Sequence, residues 1–371
     1  MILLTILIFA IILGLLVFVH ELGHFIMAKR AGMKVDEFGF GFPPRIFGIK
    51  KGDTIYSINL IPLGGFVKIV GENGDSEEPG SFGSKPFWPR FAVLIAGVTM
   101  NVIFAWLLIS IGMTSGLPTV IGEGDNVGTS AHVGIAQVSI VEVGSKSPAF
   151  DAGLKLGDSI YKINSTEITS ITQAQTLIKD NAGKATTFEL RRGNTEFSKS
   201  IVPRVNPPEG EGALGVSLSS IAKVSYPWYE SIWKGLLTTL GLIWATLSAF
   251  WGLIVQAVHH QPVGAALSGP VGIAVLTRDV AQLGLIYLIQ FTAILSINLA
   301  IINAIPFPAL DGGRVLFLVI EKLRRRKLNP KAESLANAIG FSLLILLMVF
   351  VTVKDVSHYS EGFKRLFGNI F

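Results

Sequence analysis

The chain has no cysteine. That excludes a disulfide framework, a thiolate metal site and a cysteine nucleophile, so any metal must be held by histidine and carboxylate side chains. Charge is also scarce: Asp, Glu, Lys and Arg make up 15% of the 371 residues, and hydrophobic residues 50%. A soluble globular domain carries about 25% charged residues, so this is a membrane composition. The net charge of +5 lies mostly beside apolar segments, as membrane topology requires, and no nucleic-acid partner is expected. Residues 1–19 lack the basic start and the small-residue cleavage pattern of a signal peptide, so the first segment is read as retained.

Long apolar runs are what the chain has instead. Crossing a hydrocarbon core takes about 20 residues of helix, and residues 3–28, 90–113, 283–305 and 337–353 qualify. Segment 227–258 is apolar too, but Trp228, Tyr229, Trp233, Trp244 and Trp251 run along it, the aromatic content of an element lying at an interface. Lys29, Arg30, Lys34, Lys85, Arg90 and Lys322–Lys327 flank the spans on the side assigned to the cytoplasm. The opposite side opens with residues 116–129, which hold Glu123 and Asp125 but no Lys or Arg, while Lys364 and Arg365 in the external tail run mildly against the rule.

These signs give an organisation in seven parts. A first transmembrane helix (1–30) is followed by a cytoplasmic, membrane-associated β-hairpin region (31–89), with strand character at 53–59 and 64–68. A second helix (90–113) leads to an extracytoplasmic module (114–226), in which alternating strands near 135–143, 187–191 and 197–202 surround a helical stretch near 172–180. An interfacial or re-entrant segment (227–282), a third helix region (283–320) and a basic loop with a fourth helix and external tail (321–371) complete the chain.

His20-Glu21-Leu22-Gly23-His24 matches H-E-x-x-H. On a helix two histidines four residues apart share one face, so one zinc ion can meet both. Glu21 beside them can take a proton from water that the metal makes acidic, which is hydrolytic chemistry. Two histidines and a glutamate inside an apolar helix are costly in lipid, and such residues mark function. The motif supplies two ligands, whereas a catalytic site needs a third. The best candidate is Asp311, at a Pro- and Gly-broken end of the third span, Asn303-Ala304-Ile305-Pro306-Phe307-Pro308-Ala309-Leu310-Asp311-Gly312-Gly313; an ordinary helix terminus with a surface Asp is the other reading.

Together these motifs resemble the site-2 protease family, the M50-type intramembrane zinc metalloproteases, and within it the bacterial RseP-like branch with a single PDZ domain. His20–His24 matches the family's H-E-x-G-H, and Asn303, Pro306 and Leu310-Asp311-Gly312 its N-x-x-P-x-x-x-L-D-G. Weaker matches are Gly39-Phe40-Gly41, Pro62–Lys68 and Ser268-Gly269-Pro270-Val271-Gly272, while Gly97-Val98-Thr99-Met100-Asn101 lacks the proline of the family's G-P-x-x-N. Residues 147–160, from Ser147-Pro148-Ala149 to Gly157-Asp158-Ser159-Ile160, resemble a bacterial PDZ signature. The resemblance implies zinc held by His20, His24 and Asp311, Glu21 as general base, and Asn303 beside the scissile peptide.

The fold expected is a polytopic α-helical membrane protein with four transmembrane helices, a membrane-associated β-hairpin and one extracytoplasmic α/β PDZ domain. Sharing a metal puts Asp311 and His24 on one side of the membrane, which is why 227–258 is expected to lie flat or re-enter. The expected activity is cleavage of single-pass transmembrane proteins, with remnant signal peptides and anti-sigma factors as the classes implied, in a bacterial inner membrane. Gly64, Gly65, Phe66, Val67 and Lys68 are candidates to bind an unwound substrate, the lipid bilayer is a partner, and the PDZ domain either binds a peptide or only limits access. A catalytically inactive PDZ scaffold and a zinc-binding transporter are the rival readings.

Overall fold

The computed structural model describes residues 2–72, 76, 78–122, 128–144, 146–259 and 269–358. Glu123, Asp125, Ser268, Lys364 and Arg365 lie outside the described residues. In chain order the first elements are α1 (Ile2–Arg30), β1 (Val35–Lys51), β2 (Thr54–Ile69), α2 (Phe87–Ser115), β3 (Leu117–Val120), β4 (His132–Val133) and β5 (Gln137–Val143). There follow α3 (Pro148–Asp151), β6 (Ser159–Ile163), β7 (Thr166–Glu167), α4 (Ile171–Asp180), β8 (Thr186–Arg192), β9 (Thr195–Ile201) and β10 (Val216–Ser225). The last are α5 (Trp228–Val258), α6 (Pro270–Leu283), α7 (Leu285–Ala304), α8 (Asp311–Arg324) and α9 (Pro330–His358).

The chain divides into two compact units, one of residues 1–107, 237–275 and 292–371, the other of residues 108–236 and 276–291. Among the described residues, five helices (α1, α2, α5, α7 and α9) are long and apolar enough to cross a membrane, against the four expected. The difference is α5: the segment expected to lie flat or re-enter is one unbroken helix of 31 residues.

In the first unit α1 and α2 meet through small residues. A Cβ on Gly23 would stand 2.4 Å from the carbonyl oxygen of Ala96, so only glycine allows this approach, as at many helix contacts in lipid. The hairpin turns at Gly52 (φ +63°) and Asp53, where Lys51 pairs with Thr54. Its strands are much longer than the sequence suggests. The first part of β1 lies between the two halves of β2, since Phe38 pairs with both Val67 and Tyr56. That makes Gly65–Ile69 an edge. Ala28, Met33, Val35, Ile69, Val93, Leu94 and Leu318 form one buried cluster, which fixes the base of the hairpin to α1, α2 and α8.

The second unit is an antiparallel sheet in the order β3-β10-β5-β6-β8-β9. Ile140, Ile160, Phe188 and Leu190 fill its core with Ala174 and Ile178 of α4. Asp158 is fully buried and pairs with Arg192, Oδ1 to Nε at 2.6 Å and Oδ2 to Nη2 at 2.7 Å. This contact holds the guanidinium above its ordinary pKa.

Candidate metal centre

The H-E-x-x-H residues lie on α1, about five turns past its apolar start, and both histidines are buried. Asp311 arrives from far along the sequence. Pro306 and Pro308 cannot continue α7, because each lacks an N–H and restricts the residue before it. The chain restarts at Leu310, extended at φ −104° and ψ 162°, so that Asp311 opens α8. A carboxylate there is stabilised by the helix dipole.

Three ligand atoms converge. His20 Nε2 and His24 Nε2 are 3.2 Å apart; Asp311 Oδ2 lies 2.9 Å from the first and 3.2 Å from the second. A tetrahedral ion bound at about 2.0–2.1 Å keeps its ligands about 3.3 Å apart, so the spacing fits zinc. The donor chemistry fits as well. His24 Nδ1 lies 2.8 Å from the Val93 carbonyl oxygen, which only accepts, so Nδ1 carries the proton and Nε2 turns a lone pair inward. Asp311 Oδ2 is buried and makes no hydrogen bond among the described residues. A lone pair facing a buried carboxylate oxygen is repulsive unless a cation or proton lies between them.

Two residues of α2 complete the cradle. A Cβ on Gly97 would stand 2.3 Å from His24 Nε2 and 2.7 Å from His20 Nε2; glycine here keeps the space between the imidazoles open. Asn101 is fully buried, with its amide nitrogen 3.3 Å from His20 Nδ1 and its Oδ1 without a hydrogen bond. Turning that amide end for end gives Oδ1 the Nδ1 proton, which satisfies both groups and directs the His20 Nε2 lone pair to the same point. The sequence signal for both was the Gly97–Asn101 segment, whose role the sequence left open.

Glu21 Oε2 accepts a hydrogen bond of 3.1 Å from the Val67 backbone N–H. The hairpin residues singled out in the sequence therefore divide. Val67 touches the carboxylate beside the metal cluster. Gly64 and Gly65 serve close packing: a Cβ on Gly64 would meet Val17 Cγ1 at 3.0 Å, and one on Gly65 the Gly39 carbonyl at 3.0 Å. Phe66 is half-buried, and Lys68 reaches Asp36 at 3.1 Å. Asn303, in the last turn of α7, is half-buried, and its side-chain amide makes no hydrogen bond among the described residues.

A profile of peptidase family M50 matches residues 8–347. The regulator of sigma-W protease RasP of Bacillus subtilis is 31% identical over 434 aligned positions, covering 95% of this chain and 98% of that protein. The zinc metalloprotease RasP of Geobacillus kaustophilus is 31% identical over 433 positions, covering 95% and 97%. Among solved structures, the PDZ domain of an SdrC-like protein of Listeria monocytogenes covers 22% of this chain and 86% of its own, with 22% identity and a TM-score of 0.20.

Proposed function

The chain belongs to peptidase family M50, and from that membership we propose that it hydrolyses single-pass membrane proteins within or close to the bilayer. It is a zinc metalloprotease and a multi-pass membrane protein. The observation that carries the proposal is the convergence of His20, His24 and Asp311 beside Glu21, in a cradle kept open by Gly97. His20, His24 and Asp311 would hold the zinc. When bound, zinc supplies Lewis acidity, polarising a peptide carbonyl and making water acidic enough to lose a proton near neutral pH.

Glu21 is the proton carrier. Val67 N–H occupies Oε2 and leaves Oε1 to take the proton of the attacking water and deliver it to the departing amine. Asn303, with its amide unengaged, steadies the peptide oxygen as negative charge develops. The edge Gly65–Ile69 receives the unwound substrate, supported by the direction of Val67 N–H, which leaves the sheet. The name of the Bacillus subtilis relative, a regulator of sigma-W protease, supports anti-sigma factors as one substrate class, alongside remnant signal peptides. The β-sheet module lies outside the cytoplasm and either binds a peptide or limits access.

Asp311 and His24, in sharing one metal, would lie on the same, cytoplasmic side of the membrane.

The test is cleavage of a transmembrane substrate by purified protein in detergent, with zinc quantified in each variant. Glu21→Gln should keep zinc and lose about 10²–10⁴-fold in rate, whereas Asp311→Ala should lose both. Undiminished cleavage by Glu21→Gln would remove the base from the mechanism. Zinc held without cleavage by the wild type on every substrate tried would favour a scaffold or transporter.

A further inference from the structure

Asp311 is presented by a turn that the adjoining α7 and α8 do not hold alone. Ala309 adopts φ +76°, a left-handed conformation that strains a residue bearing a Cβ. Its backbone N–H donates to Asn337 Oδ1 at 3.0 Å. Asn337 stands on α9, and one turn further along α9 is Gly340, which is buried. A Cβ on Gly340 would stand 2.4 Å from the Pro308 carbonyl oxygen and 2.8 Å from its carbon. The atoms in the way are backbone and cannot swing aside. On the other side of the turn, a Cβ on Gly312 would meet the Ile305 carbonyl oxygen at 2.3 Å and one on Gly313 the Phe307 carbonyl oxygen at 2.2 Å.

We propose that Asn337 and Gly340 of α9 are positioning residues for the metal centre: they clamp the Pro308-Ala309 turn so that the Asp311 carboxylate reaches the two imidazoles. Neither residue contacts the metal ligands. Asn337 offsets the strain at Ala309 with a hydrogen bond, and Gly340 lets α9 lie flush on the turn. The sequence Asn337-Ala338-Ile339-Gly340 in the last apolar helix is thereby tied to zinc affinity, and the seating of α9 and the occupancy of the site are linked.

This inference rests on Asp311 being a zinc ligand, and the experiment separates the two. Full-length protein in detergent is titrated with zinc against a chromophoric chelator. Wild type is compared with Asp311→Ala, Asn337→Ala, Gly340→Ala, the double variant Asn337→Ala/Ala309→Gly, and Leu343→Ala, an exposed residue of the same helix. Asn337→Ala and Gly340→Ala should weaken zinc binding about 10–100-fold, and Leu343→Ala should leave it unchanged. Glycine at 309 adopts the left-handed turn without strain, so the double variant should recover about fivefold over Asn337→Ala. Thermal unfolding of the zinc-free variants, measured beside the titration, separates the clamp from a general loss of stability, which would lower the unfolding midpoint in step with the affinity. If Asp311→Ala binds zinc like wild type, the ligand assignment fails. If Asp311→Ala loses zinc while Asn337→Ala and Gly340→Ala bind as wild type does, or if glycine at 309 gives no recovery, the clamp is refuted and the ligand assignment stands.

Discussion

Adding one methyl group at Gly97 should empty the metal centre. In Gly97→Ala the new Cβ would lie 2.3 Å from His24 Nε2, 2.6 Å from His20 Cε1 and 2.7 Å from His20 Nε2. Non-bonded heavy atoms rest about 3.5 Å or more apart, so the imidazoles must retreat by about 1.2 Å. Retreat of α2 instead would break the contact of Gly23 with the Ala96 carbonyl. Metal sites tolerate displacements of only about 0.2 Å, and misplacement of about 1 Å in a reacting geometry costs about 10²-fold. Zinc affinity and cleavage should therefore each fall by about 10²-fold or more. The helix itself should not suffer, because alanine favours a helix over glycine by about 1 kcal/mol. The assay is chelator competition and cleavage at matched protein concentration, with helicity followed by circular dichroism. Gly241→Ala is the control, since its Cβ would meet nothing within 4 Å. Gly97→Ala that holds zinc as tightly as wild type would refute the cradle.

Asn101→Ala should weaken zinc binding about 10–100-fold without removing a ligand, because His20 loses the acceptor that fixes its tautomer; unchanged affinity by chelator competition would leave Asn101 a packing residue. Protons and zinc compete for the same imidazole lone pairs, so zinc affinity should fall as the pH is lowered. Zinc retained on gel filtration at pH 5 as fully as at pH 7.5 would contradict histidine ligation.

The two imidazoles and Glu21 were legible in the sequence because their geometry is local: residues four apart on a helix share a face whatever else the protein does. Asp311 was legible only as a candidate, since its approach depends on how the Pro306–Leu310 turn folds back. Gly97 and Asn101 were visible as residues, but their role arises from the closeness of α1 and α2, which sequence periodicity does not encode. The hairpin was read as two short pieces for a different reason. Gly39, Gly41, Pro43, Pro44 and Gly48 look like strand breakers, yet β1 runs through all of them. At Gly39 a Cβ would stand 2.7 Å from Ser57 Oγ, and Asn59 Nδ2 donates to the Gly41 carbonyl at 3.1 Å. These glycines admit buried polar side chains of β2 into the sheet. For α5, the aromatic residues suggested an interface, and the length of the helix gives a second way to satisfy the same composition.

One hydrogen bond joins the hairpin to the chemistry, and its direction bears on how a helical substrate is opened. In a strand the N–H and C=O of one residue point to the same side and alternate along the chain. Val67 N–H leaves the sheet for Glu21, so this residue of the edge turns its donor away from its β1 partner Phe38. A peptide group inside a transmembrane helix is already engaged by hydrogen bonds along the helix, and releasing it within lipid leaves donors and acceptors that cost several kcal/mol each unless satisfied. In the function proposed above, the edge Gly65–Ile69 would supply those partners beside Glu21. Opening the helix and positioning the base would then be one event on one strand, the arrangement expected of an enzyme that must unwind its substrate before cutting it.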